Sequence, residues 1–372
     1  MNYDNEQLNY DYPKLRELEE FFCTDLKNKD FSKIIIIACQ HILEPQKVMF
    51  QRLISLGFLP KNIFIMGKIY STNYDVLKEM RSLGMYVLET GFQTQVPFDA
   101  QHAHFCKYLL DKSYTARKNA EKVIVLDDGG ELITQLALEN KTKSVIGIEQ
   151  TSSGFRKLEN MSFSFPVYNV ARSKTKLELE TPFIVSLGIR RIEEKLQELG
   201  WQKPSILIVG LGPIGAEMKD QLLGHEYKVS AYDKIHGEQS ISKIVQNDIQ
   251  VVIGTTGSQI LSHDEIVALN ESLDTKVLFV SMSSSDREFE LWRLRDLFES
   301  DGKLHGDVSF GNIIITNNGF PVTFKGNRFE GAAFEMERTI CLLFSGVCLA
   351  VIEDSLPVGL IDIPEAITEK LV

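Results

Sequence analysis

Short aliphatic and β-branched runs alternate with amphipathic stretches along almost the whole chain. Lys33–Cys39 (KIIIIAC), Ile63–Gly67, Met85–Glu89, Lys122–Asp127 and Ser144–Ile148 are apolar runs of strand length. Between them, Pro45–Leu56, Asp75–Leu83 and Phe98–Ala116 repeat apolar residues at helical spacing. Strands that are apolar throughout are covered on both faces, and helical crossovers make their sheet parallel. This predicts an α/β domain ending near residue 175. A second series starts at Ile206. It reads as strand Ser205–Val209, helix Pro213–Leu223, strands Lys228–Tyr232 and Gln250–Gly254, helix His263–Leu273 and strand Lys276–Ser281. Two long helical segments, Glu180–Leu199 and Gly331–Ile352, bracket that series. The fold class is therefore α/β, with two doubly wound parallel-sheet domains. The bracketing helices are expected hinges, with the ligand cleft at the junction.

The strongest local motif is Gly210-Leu-Gly212-Pro213-Ile214-Gly215, which follows an apolar strand and opens a helix. Gly210 suits the tight turn, Gly212 a close backbone approach to a pyrophosphate, and Gly215 the packing of helix on strand. Asp233 ends the next strand, where a carboxylate accepts the ribose hydroxyls of NAD and repels a 2′-phosphate. The second series is thus expected to be a Rossmann NAD-binding domain over 180–330, inserted in a substrate-binding domain over 1–179, with 331–372 returning to the latter. Thr255-Thr256-Gly257 follows a further strand of that domain, placed to touch the nicotinamide side. In the first domain, Asp127-Asp128-Gly129-Gly130 puts two carboxylates at a strand end, above the sheet where ligands of such domains bind. One of the two could instead cap the next helix. Thr151-Ser152-Ser153 reads on its own as a helix-capping cluster.

Composition narrows the partners. A net charge of −11 and a pI near 5.3 argue against a nucleic-acid partner, which would need a basic face. The acidic N-terminus is expected to be neither signal peptide nor anchor, and runs such as Ile34–Cys39 and Ile340–Phe344 are too short to span a bilayer. The 5 cysteines form no CxxC pair. They read as buried free thiols of a reducing cytoplasm, and no metal site is expected.

In order and with near-family spacing, LDDGGEL, GIEQTSSG, FPVYNVARSKTK, GLGPIG, IGTTGS and PVGLIDIP resemble segments of the S-adenosylhomocysteine hydrolases (adenosylhomocysteinases), over roughly residues 33 to 365. The resemblance implies a cytoplasmic homo-oligomer with bound NAD. In that family NAD oxidises a ribose 3′-hydroxyl, the acidified C4′ hydrogen is removed, the 5′-thiol leaves, water adds, and the ketone is reduced again. Lys176 falls on the family's ribose-binding lysine, and Glu180 where the family has an aspartate. His41 and Asp128 fall on the histidine and aspartate assigned to the proton transfers. Thr151, Ser152 and Ser153 fall on its threonine run at the cofactor.

The departures cluster elsewhere. Gln150 replaces a glutamate, Ser284 a histidine, Thr323 an asparagine and Glu330 a second histidine, while Ala171 and Arg172 stand for an asparagine and an aspartate. The sequence ends at Val372, before the tail that the family lends to a neighbouring protomer. Gln150, Ser284 and Glu330 would touch a substrate that differs from S-adenosylhomocysteine. The expected function is transient oxidation of a secondary hydroxyl on a nucleoside or sugar-like small molecule, allowing elimination or addition. An NAD-binding pseudoenzyme and a plain NAD-dependent dehydrogenase are the alternatives.

Overall fold

The computed structural model describes residues 10–139, 144–233, 241–245, 248–295 and 304–371, so the acidic stretch over 1–9 lies outside the described residues. The chain divides into two compact units. One takes Met1–Gly91, His102–Glu180 and Asn327–Val372; the other takes Phe92–Gln101 and Thr181–Gly326.

The first unit holds β1 (Ile34–Ile42), β2 (Ile63–Thr72), β3 (Tyr86–Leu88), β4 (Lys122–Asp127), β5 (Val145–Glu149) and β6 (Pro166–Asn169). The second holds β7 (Ile206–Val209), β8 (Val229–Tyr232), β9 (Val251–Gly254), β10 (Val277–Ser281), β11 (Val308–Phe310) and β12 (Ile313–Ile315). Strand β13 (Gly359–Asp362) belongs to the first unit. The 7-stranded sheet has the order β13-β6-β5-β4-β1-β2-β3 and is parallel throughout. The 6-stranded sheet has the order β11-β12-β10-β9-β7-β8 and is parallel except for β11. Both are doubly wound, as the hydrophobic pattern predicts. Growth of the sheet reverses between β1 and β4 in one unit and between β7 and β9 in the other. The crevice beyond the carboxyl ends of such strands is where open α/β sheets bind ligands.

Strands β6, β11, β12 and β13 extend the sheets beyond the strands predicted. Of these, β13 reaches β6 from far along the chain. The segment Phe92–Gln101, expected in the first domain, groups with the six-stranded unit because of a buried cation. Arg295 ion-pairs with Asp286 at 2.6 Å and lies against the Phe92 and Phe320 rings at 5.0 and 5.3 Å. It also donates to the Thr94 carbonyl, and Asp286 accepts from the Phe98 amide.

Helix Ala333–Ile352 is the keystone of the seven-stranded unit, with an almost unbroken buried stretch from Thr339 to Val351. Gly346 lets it approach β5, since a Cβ there would stand 3.2 Å from Ile148. Its Glu337 caps helix Pro13–Leu26, whose own N-cap Tyr12 offers no side-chain bond. Glu337 accepts from the Lys14 and Leu15 amides at 2.7 and 3.2 Å and from the Tyr10 hydroxyl at 2.6 Å. Lys122 closes the other end by donating to the Ala350, Val351 and Glu353 carbonyls, a cation on the negative end of the helix dipole. Among the described residues no helix is long and apolar enough to cross a membrane. Phe344 is fully buried in this helix against Phe22. Phe344→Ala should cost about 3–5 kcal/mol, read as a lower urea midpoint of the seven-stranded unit.

Candidate functional site

In the six-stranded unit, β7 runs into the glycine turn at the switch point. Gly210 has φ 101°, a left-handed value that glycine adopts without strain. A Cβ on Gly215 would run into the Gly210 carbonyl oxygen and stand 2.7 Å from Thr255 Oγ1. A Cβ on Gly212 would meet nothing within 4 Å, so the turn is open on that side. Pro213 begins helix Pro213–Gly224, and no side chain caps this helix start. The N–H groups beyond Pro213, at Ile214 and Gly215, therefore remain for an anion. Asp233 lies beyond β8 and accepts from the Leu211 amide at 2.8 Å, which brings its carboxylate to the turn.

The loop after β9 supports that turn from below. Thr255 Oγ1 donates to the Gly210 carbonyl at 2.9 Å. Glu288, fully buried, gathers the rest: it accepts from the Thr256 amide at 2.6 Å, the Thr256 hydroxyl at 3.0 Å and the Gly257 amide at 3.2 Å. Ser281 and Ser283 hydroxyls add bonds at 2.7 and 3.0 Å. Burial pushes the Glu288 carboxyl up, and these donors offset only part of that. Thr255 and Thr256 thus spend their hydroxyls on scaffold. Ser284 is half-buried in the loop after β10.

In the seven-stranded unit a second constellation collects at the carboxyl ends of β1, β2, β4 and β5. Asp128, just past β4, is fully buried and meets three donors. Lys68 Nζ and Gln150 Nε2 bond to it, and His41 Nε2 stands 3.1 Å away. Burial alone would push the Asp128 carboxyl up, yet the Lys68 ammonium and His41 hold it well below the usual carboxylate range. His41 Nδ1 pairs with Ser71 Oγ at 2.6 Å. Gln150 Oε1 is buried with no protein partner. Lys176 Nζ donates to the Gln150 main-chain carbonyl and lies 3.2 Å from Glu180, which also accepts from Thr339 Oγ1 at 2.9 Å. Helix Lys174–Leu199 starts earlier than its periodicity predicts, so Lys176 and Glu180 are one turn apart on a single helix.

Several residues serve as local structure. Thr151 caps helix Ser152–Leu158 by accepting from the Gly154 amide, and Ser153 Oγ bonds the Thr151 hydroxyl. Ser152 opens that helix. Asp127 caps helix Glu131–Leu138 through the Ile133 amide, while its other oxygen lacks a partner. Glu330 accepts from the Asn327 amide at 2.9 Å, closing the turn before helix Ala333–Ile352. Glu149 accepts from the Gly129 and Thr151 amides and the Thr151 hydroxyl, joining the two loops that carry Asp128 and Gln150.

Sequence reasoning misses Lys68, Ser71, Glu288 and Thr339. A lysine inside the apolar run IFIMGKIYST is the one signal that could have marked Lys68. Thr339 and Glu288 sit in ordinary helical and loop contexts that give none.

No family model matches the chain. It is 33% identical over 336 residues to a protein of Mycobacterium tuberculosis strain H37Rv and to its counterpart in strain CDC 1551, both described as uncharacterized. That match covers 87% of this chain and 65% of each relative, so the chain spans 65% of the length of those relatives. Among solved structures, a dipicolinate synthase chain from Bacillus halodurans is similar over 71% of this chain and 87% of its own, at 8% identity and TM-score 0.39. A putative D-3-phosphoglycerate dehydrogenase from Ralstonia solanacearum is similar over 85% of this chain and 94% of its own, at 11% identity and TM-score 0.37. The fold assignment rests on this chain's own strand order and registers.

One stability test follows from Glu149. Burial raises its carboxyl from 4.5 to about 7, against the pull of the Thr151 and Gly129 bonds. The folded chain therefore holds this proton more tightly than the unfolded chain. The stability it contributes is full at pH below 4.5 and is lost as pH rises through about 7. Between roughly pH 5 and 8 the protein should lose on the order of 1–3 kcal/mol from this group, and Glu149→Gln, with no proton to lose, should lose less. Urea unfolding of both forms at the two pH values measures the difference.

Proposed function

We propose that the chain is an NAD-dependent enzyme that transiently oxidises a secondary hydroxyl of a nucleoside or sugar-like substrate, in the manner of the adenosylhomocysteinases. Oxidation lets a neighbouring group be eliminated or added before the hydroxyl is restored. The observation that carries this reading is the set of half-buried Lys176 and Glu180 beside buried Gln150. A hydroxyl needs a donor for its lone pairs and an acceptor for its proton, and Gln150 Oε1 is a buried acceptor with no protein donor. Lys176, bound to the main chain of that same residue, supplies the basic group.

The six-stranded unit fits the cofactor on its own geometry. The uncapped helix start suits the pyrophosphate, the open side of Gly212 admits it, and Asp233 suits the adenosine ribose. A bound NAD would supply a reversible hydride acceptor for the alcohol carbon. The chain's own residues manage the proton. Lys176 Nζ in its neutral form would take the hydroxyl proton, and the ammonium so formed would pair with Glu180 Oε2 at 3.2 Å, which Thr339 braces. Asp128 acts as an anion that orients His41 and the Gln150 amide. His41 falls where the resemblance puts a proton transfer at carbon, with Asp128 beside it as its anion.

Two experiments test the reading. The purified protein should release NAD on denaturation, and Asp233→Ala should weaken its retention by about 1–3 kcal/mol. NADP bound as tightly as NAD would sink the assignment to Asp233. Secondly, adenosine and related nucleosides should turn bound NAD into NADH. Lys176→Ala should keep fold and NAD while slowing that reduction on the order of 100-fold or more. Reduction at the unsubstituted rate would remove Lys176 from the chemistry, and retained NAD that no nucleoside reduces would favour a binding role instead.

A further inference from the structure

Strand β2 does not pair evenly with β1. Gln40 faces Gly67 and Ile42 faces Thr72, so Lys68, Ile69, Tyr70 and Ser71 stand opposite His41 alone. Irregularities of this kind re-aim side chains, and here they turn Lys68 onto Asp128 and Ser71 onto His41. We propose that Lys68 is a positioning residue: its ammonium keeps Asp128 a permanent carboxylate, and through that anion it fixes the His41 ring and the Gln150 amide.

Three observations support this. The Lys68 side chain is only 4% exposed, and an ammonium so far from water persists only beside an anion. Asp128 is its one ion-pair partner among the described residues. Asp128 offers one oxygen to Lys68 and the other to His41 and Gln150, so all three donors depend on one charge. An amide beside a carboxylate must present its NH2 group, which leaves Gln150 Oε1 as the outward acceptor. Were Asp128 neutral, its hydroxyl could face that oxygen instead and the acceptor would be consumed.

The remaining groups near the pair do not supply a cation in place of Lys68. Asp127 and Glu149 lie beside Asp128 at the ends of β4 and β5, and ionising either adds negative charge. Tyr70 and Cys39 flank Lys68, and either would bear negative charge if ionised. Lys68 and His41 are thus the groups that favour the Asp128 anion.

What this arrangement does for catalysis rests on the function proposed above; the arrangement itself is measurable without cofactor or substrate. The full chain is labelled with carbon-13 at aspartate carboxyls and nitrogen-15 in histidine rings, and Asp128→Asn identifies the Asp128 signal. In the unsubstituted protein that carboxyl should stay ionised to the acid limit of the native state. In Lys68→Met it should titrate about one pH unit higher or more, and the His41 ring signals should shift with it. Lys68→Arg, which keeps the charge, should leave Asp128 ionised. An Asp128 signal that titrates in the ordinary aspartate range in the unsubstituted protein overturns the proposal, whether or not Lys68→Met folds. So does a folded Lys68→Met with unchanged Asp128 and His41 signals. Because no NAD reduction is read, failure here is separate from failure of the proposed reaction.

Discussion

Keeping the Asp128 carboxylate out of water at the end of β4 is the constraint around which the seven-stranded unit is arranged. Withdrawing an ion from solvent costs several kcal/mol, and attraction to a partner offsets that cost only when geometry and hydrogen bonds are good. The chain meets the condition by bringing four strand ends together. The β1–β2 irregularity supplies Lys68 and the His41–Ser71 pair, and β5 supplies Gln150. Glu149 then ties the loops after β4 and β5 to each other. Relaxing any one of these elements would leave a charge or a donor buried without its partner.

The six-stranded unit treats its own buried carboxylate differently. Glu288 has no cation among the described residues; amides and hydroxyls surround it, which leaves its proton affinity raised but holds the Thr256–Gly257 loop. That loop in turn sets Thr255 against the glycine turn. One unit therefore uses a full ion pair to orient side chains, and the other uses neutral donors to stiffen backbone. Backbone is what a phosphate-binding turn needs to present, whereas side chains are what acid–base chemistry needs.

Much of this is legible in the sequence, and for identifiable reasons. Continuous apolar runs at β1, β4, β7 and β9 announce parallel strands, because both faces of each are buried. The glycine fingerprint is legible because backbone sterics leave few alternatives at Gly210 and Gly215. Thr151 shows the limit of reading one residue at a time: its hydroxyl is an N-cap whatever else it does. Lys68 shows another limit, since its place depends on an irregular strand pairing that no periodicity encodes. The segment Phe92–Gln101 escapes a local reading because its anchor, the Arg295–Asp286 pair, lies almost two hundred positions away in the chain.

The seven-stranded unit is discontinuous in the chain, and this shapes how it can be made. Helix Ala333–Ile352 and β13 emerge from the ribosome only after residues 181–326, which hold nearly all of the six-stranded unit. Until then one apolar face of β4 and β5 lacks its cover, and nascent chains with such an uncovered face are prone to aggregate. The six-stranded unit, nearly contiguous, can close while synthesis continues. The seven-stranded unit must wait incomplete until its last helix and edge strand have been made.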